Sequence, residues 1–243
     1  MDLNLRPERR DQLAARLRAE LESFVPGSVT LLRGSLAAGT ADPYSDIDLC
    51  WVVADEAFAA AVTAAAGLRG KLPSIRAVRM DPGLASSDRR RLVFIRLAGV
   101  PLFWRVDLDI RARSIAEDDS YDDGNPLARD TTGWSRPASA IENAIAAIKS
   151  GVRCRTDVTD GLLRRGYQRI GLVQSPDSDL TEQITRLAES CARLEPGLTS
   201  IANEVREVAE ALLVPPHLDT RGLGKAQGGL HGGAAAASGT DPV

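Results

Sequence analysis

Sulfur and imidazole are scarce in this chain. Three cysteines, Cys50, Cys154 and Cys191, are scattered over 243 residues and odd in number. Neither a disulfide framework nor a paired-cysteine metal site is expected from them. The two histidines, His217 and His231, fall in or beside a loose tail and make poor ligands. No apolar stretch approaches the roughly 18 residues of a membrane span. The start, Met1-Asp2-Leu3-Asn4-Leu5-Arg6-Pro7, lacks the apolar core of a secretory signal. These absences fit a reducing, cytoplasmic setting. Strong charge of one sign is missing too. A formal net charge of −3 argues against nucleic acid as a partner held by charge alone. It leaves room for a nucleotide escorted into an acidic site by metal ions.

What is present is ordinary for a soluble globular protein: 44% hydrophobic and 26% charged residues. The length allows one large domain or two small ones. Residues 7–24 read as a helix, with Pro7 in its first turn and Leu13, Leu17, Leu21 and Phe24 on one face. Pro26-Gly27 stops it. Strands are expected at 28–33, from about Asp46 to Val53, and at 75–80, 92–97 and 102–110, with a second helix at 55–68. From 139 to about 214 the pattern is helical, with four helices at 139–149, 158–170, 180–194 and 198–213. The expected class is α+β: a small mixed sheet with flanking helices over residues 1–110, a polar connection at 111–135, a helical bundle at 136–214 and a disordered tail at 215–243. The acidic groups Glu117-Asp118-Asp119 and Asp122-Asp123 in the connection read as a solvated loop.

The most informative run is Tyr44-Ser45-Asp46-Ile47-Asp48-Leu49-Cys50-Trp51. Carboxylates rarely sit inside an apolar strand, because an unpaired buried charge is costly. Side chains alternate faces along a strand, so Asp46 and Asp48 point the same way, their Cα atoms roughly 6.6 Å apart. Leaning inward, such carboxylates can share metal ions about 3.5–4 Å apart, as phosphoryl transfer uses them. A third carboxylate is available in Val106-Asp107-Leu108-Asp109-Ile110. Asp107 and Asp109 share a face there, so alternation does not choose between them.

Gly34-Ser35, ten residues, then Asp46-Ile47-Asp48, with a later strand aspartate, resembles the DNA polymerase β-like nucleotidyltransferase superfamily. The longer string Gly34-Ser35-Leu36-Ala37-Ala38-Gly39…Ser45-Asp46-Ile47-Asp48-Leu49 resembles its small bacterial branch, which includes aminoglycoside and minimal nucleotidyltransferases. The resemblance spans residues 28–110. It implies that Gly34 and Ser35 hold the phosphates of a nucleoside triphosphate, ATP by default. It implies two Mg²⁺ ions on Asp46, Asp48 and a third carboxylate, these three being catalytic as well as metal-binding. Val106-Asp107-Leu108 fits the family's form better than the next aspartate, so Asp107 is the expected third ligand, and Asp109 an outer acceptor or additional base. The chemistry agrees with the residue types. Gly34 lets the backbone approach a phosphate, Ser35 opens a short helix that favours anions, and hard cations prefer oxygen ligands.

Other charged residues have blander readings. Ser139-Ala140-Ile141-Glu142 has the form of a capping box, which is preferred over Glu142 as a general base. Lys149 suits a helix C-terminus, which is preferred over a phosphate contact. Arg164, Arg165 and Arg169 read as a solvated face. Trp51, Trp104 and Trp134 read as packing residues, Trp134 being placed to line an inter-domain cleft. The expected function is transfer of a nucleoside monophosphate to the hydroxyl of a small molecule, an antibiotic among the candidates, with release of pyrophosphate. Two alternatives use the same residues: a protein-nucleotidylating enzyme or antitoxin whose acceptor is a partner protein, and a non-catalytic nucleotide-binding module.

Overall fold

A computed structural model describes residues 3–67, 73–175 and 178–213. The chain opens with helix α1 (Pro7–Phe24), strand β1 (Val29–Leu32), the five-residue helix α2 (Gly34–Ala38) and strand β2 (Ile47–Val53). Helix α3 (Phe58–Ala66) and strands β3 (Ile75–Met80), β4 (Arg90–Leu97) and β5 (Val106–Ala112) follow. Helices α4 (Arg136–Val152), α5 (Thr156–Arg169), α6 (Leu180–Leu194) and α7 (Thr199–Leu213) come next among the described residues. The sheet order is β1-β2-β5-β4-β3. Among the described residues only the β2–β5 pair is parallel. This is the α+β class expected from the sequence.

Alternation divides the sheet into two chemically different faces. Ile47, Leu49, Trp51 and Val53 of β2, Val106, Leu108 and Ile110 of β5, and Val93 and Ile95 of β4 form one core with Leu13, Leu17 and Leu21 of α1 and Phe58 and Ala61 of α3. Trp51 is fully buried there, its indole N–H donating to Ser28 Oγ at 2.9 Å. The opposite face keeps the intervening residues. In register across four neighbouring strands it carries Asp48, Asp107, Phe94 and Arg79.

A second core joins α4–α7 through Ile141, Ile145, Ile148, Leu163, Leu187 and Val205. It also takes in Leu102, Phe103 and Trp104, which corrects the strand expected at 102–110. The first three residues of that run bury their apolar side chains in the helical core, and pairing begins only at Val106 and runs on to Ala112. The helix expected at 139–149 is longer at both ends. Ser135, not Ser139, caps α4, accepting from Ala138 N–H at 2.9 Å, and Pro137 falls in the first turn. Within the expected solvated connection, Asp122 is buried and accepts from Asn125, while Asp119 pairs with Arg111. Trp104 and Arg169 are also tied in: the indole donates to Pro43 O, and the guanidinium reaches back to Ser139 and Asn143 on α4. Leu68, at the end of the second expected helix, and the tail at 215–243 lie outside the described residues. No helix among the described residues is long and apolar enough to cross a membrane.

Candidate active site

The site begins where β1 ends. Arg33 N–H donates to Asp48 O at 2.9 Å, locking the turn against β2. Gly34 then takes a positive φ of 55°. A Cβ there would lie 2.4 Å from Asp48 Oδ2, so only glycine lets the turn's backbone touch that carboxylate. Ser35 follows, half-buried in the first turn of α2. The loop to β2 is anchored at Asp42. Arg153 of α4 grips its carboxylate with two bonds of 2.7 Å, and Arg10 donates to its carbonyl at 2.5 Å. The Arg153 fork holds the Asp42 carboxyl down at about 2.

Asp46, Asp48 and Asp107 lie near enough to feel one another's charge. Asp48 and Asp107 are direct register partners across the parallel pair, and Asp46 lies two residues before Asp48. Burial, reinforced by the neighbouring charges of Asp107 and Asp46, pushes the Asp48 carboxyl up to about 6. Neither a hydrogen bond nor an ion pair engages the Asp48 side chain among the described residues. Its neighbours are engaged. The Lys149 ammonium contacts Asp46 Oδ1. Arg105 grips Asp107 with two bonds of 2.6 Å, which counter the upward push of burial on that carboxyl. Asp109 lies two residues further along β5, opposite Cys50, and is taken by Arg90 and Arg111. It stands apart from the three.

Two residues read from the sequence as helix caps belong to this site. Glu142 is no cap. It accepts from Arg96 at 2.9 and 2.7 Å and from Arg105 at 2.7 Å, and Arg79 stands 3.8 Å away. These guanidiniums hold its carboxyl at about 2 despite burial. Lys149 is 8% exposed and faces Asp46 rather than the end of α4. The available signal was their spacing. Seven residues apart is two helical turns, so Glu142 and Lys149 share a face.

The carboxylates can be tested against the metal that the sequence implies. Asp48 fits: it is desolvated, crowded by like charge, lacks a cation of its own and offers the hard oxygens that Mg²⁺ prefers. Asp46 already attracts a cation. Asp107 fits once Arg105 yields or shares an oxygen. As the side chains stand, no three His, Cys, Asp or Glu among the described residues are grouped to hold an ion. The two basic side chains lie against two of the three expected ligands.

Residues 14–95 match the family model described as "Nucleotidyltransferase domain". That stretch is similar to nucleotidyltransferase domains. The matched stretch contains Gly34, Ser35, Asp46 and Asp48 and ends before Asp107. No curated protein matches the chain. Among solved structures the chain is similar to one in the GLD-2/RNP-8 complex, with 13% identity over 78% of each chain and a TM-score of 0.35. It is also similar to the Cid1 poly(U) polymerase, with 17% identity over 77% of this chain and 48% of that one and a TM-score of 0.32.

Proposed function

We propose that the protein transfers a nucleoside monophosphate from a nucleoside triphosphate, ATP by default, to a hydroxyl of a small molecule. The observation that carries this reading is Asp48, an unpaired, desolvated carboxylate touching the Gly34 turn and flanked by Asp46 and Asp107. Mg²⁺ held by Asp46, Asp48 and Asp107 would supply charge neutralisation of the triphosphate and of the attacking oxygen.

The chain's own groups do the rest. The backbone at Gly34 and the Ser35 hydroxyl take the terminal phosphates. With Asp46 holding the ion, the Lys149 ammonium would be free to meet the triphosphate. Asp107, oriented by Arg105, receives the proton of the acceptor hydroxyl. The acceptor oxygen bonds to the α-phosphorus as the bond from that phosphorus to the bridging oxygen breaks, and pyrophosphate departs in line. The test is calorimetric titration with ATP and Mg²⁺. Wild type should bind, and the double change Asp46→Ala with Asp48→Ala should abolish binding. Equal binding by both proteins would refute the reading.

A further inference from the structure

Beyond Asp107 on the polar face lies a cavity of about 120 Å³ between β3, β4 and the helices α4 and α7. That is well short of the roughly 300 Å³ at which sites for drug-sized ligands begin. It suits one compact group. Its walls are unusually basic. Arg79, Arg96 and Arg105 surround it, and Arg76 stands at its rim. Arg76 is neutralised by Glu204. The other three guanidiniums share Glu142, with Asp107 taking part of Arg105.

Arg79 is left short. Its nearest carboxylate is 3.8 Å away, and its buried Nη1 has no hydrogen-bond partner. An unsatisfied buried donor is costly. The first turn of α7 adds a favourable field, since Ser200 and Ile201 line the same wall. Phe94 forms the floor, with Arg105 and Arg79 stacked on its ring at 4.7 and 5.5 Å.

We propose that this cavity anchors the acceptor by an oxyanion, a phosphate ester or a carboxylate carried on a small hydroxylated molecule. The inference rests on the transferase reading for the word acceptor. It stands on the arginines for the charge. Guanidinium forks match both oxyanions in shape and in charge. Arg105 links the two halves, with one edge on Asp107 and another of its nitrogens on Glu142 in the cavity wall. An anion held by the long Arg79 side chain therefore sets a hydroxyl of the same molecule toward Asp107, whose backbone is two strand spacings from that of Arg79, roughly 10 Å. A polycationic antibiotic would meet like charge instead.

The test uses one three-carbon skeleton in four charge forms: glycerol phosphate, glycerate, glycerol and aminopropanediol. Each is titrated into the full chain by calorimetry, with and without a saturating non-hydrolysable ATP analogue and Mg²⁺. Filling the nucleotide site keeps it from capturing the probes. At least one anionic probe should bind, and whichever does identifies the group. Glycerol and the amine should not bind. Arg79→Gln should weaken the anion at least tenfold. Arg79→Lys, which keeps the charge and loses the fork, should weaken it about threefold, and decides the matter if Arg79→Gln unfolds. Absence of anion binding, equal binding of the neutral or amine probe, or undiminished anion affinity in the folded variants would overturn the proposal. If the ATP analogue itself fails to bind, the transferase reading falls, while the probe series still judges the cavity.

Discussion

Asp48 is desolvated and crowded by the charges of Asp107 and Asp46. Its carboxyl is raised from 3.8 to about 6, so the folded protein binds this proton more tightly than the unfolded chain. In metal-free protein the group therefore costs stability progressively as pH rises from about 4 to about 6, and the cost stays in force above that window. Asp48→Asn should remove it. At pH 8 without Mg²⁺ the variant should be more stable than wild type by on the order of 1–2 kcal/mol, and at pH 4 the difference should vanish. Thermal melts at the two pH values check this. The same variant should lose pyrophosphate release by about 100-fold or more, a trade of stability for function that active sites often show. Gly34→Ala attacks the same contact from the other side. The added Cβ meets Asp48 Oδ2 at 2.4 Å and a positive φ, so the turn must shift. ATP affinity should fall at least tenfold, read by calorimetry.

At the scale of elements, α4 is the bridge between sheet and helices. Glu142 ties it to β4 and to the segment entering β5 through Arg96 and Arg105. Removing one partner of a buried pair leaves the others uncompensated. Glu142→Gln should therefore destabilise the fold by about 3 kcal/mol. Its carboxyl is lowered from 4.5 to about 2, so this contribution is complete above pH 4.5 and is lost as pH falls toward 2. Acid titration of wild type against the variant should show the difference closing over that window. Packing is equally tight at Gly166 of α5, where a Cβ would meet Leu187 Cδ2 at 2.6 Å and Asn143 Cβ at 3.2 Å. Gly166→Val should cost about 1–3 kcal/mol by overpacking, measurable in denaturant.

The elements also show what was legible in the sequence. Helix α1, strand β3 and helix α6 carry their periodicity and breakers locally, and their bounds match the expectation. Asp46 and Asp48 stood out because an apolar strand seldom holds charge. Strand register, which local sequence does not encode, sets Asp107 beside Asp48 and hands Asp109 to Arg90 and Arg111. The roles of Glu142 and Lys149 are hidden from local sequence for the same reason. Their partners Arg96, Arg105 and Asp46 are remote in sequence, and a serine three residues before Glu142 imitated a cap. The true start, Ser135-Arg136-Pro137, was visible as a capping serine followed by a first-turn proline.

At the scale of the molecule, one polar sheet face runs from the Gly34 turn through three aspartates to an arginine-lined cavity, and the helical half closes over it with Lys149, Glu142 and Arg153. Basic side chains rest on Asp46 and Asp107, two of the carboxylates that the proposed nucleotide chemistry requires. The account holds that these contacts exchange when nucleotide and Mg²⁺ enter. A crystal structure of the chain with a non-hydrolysable ATP analogue and Mg²⁺ measures this most directly. The triphosphate should lie over Gly34 and Ser35, with the ion on Asp46 and Asp48 and the Lys149 ammonium moved from Asp46 to a phosphate. Nucleotide bound elsewhere, or bound with no ion on Asp46 and Asp48, would contradict the account.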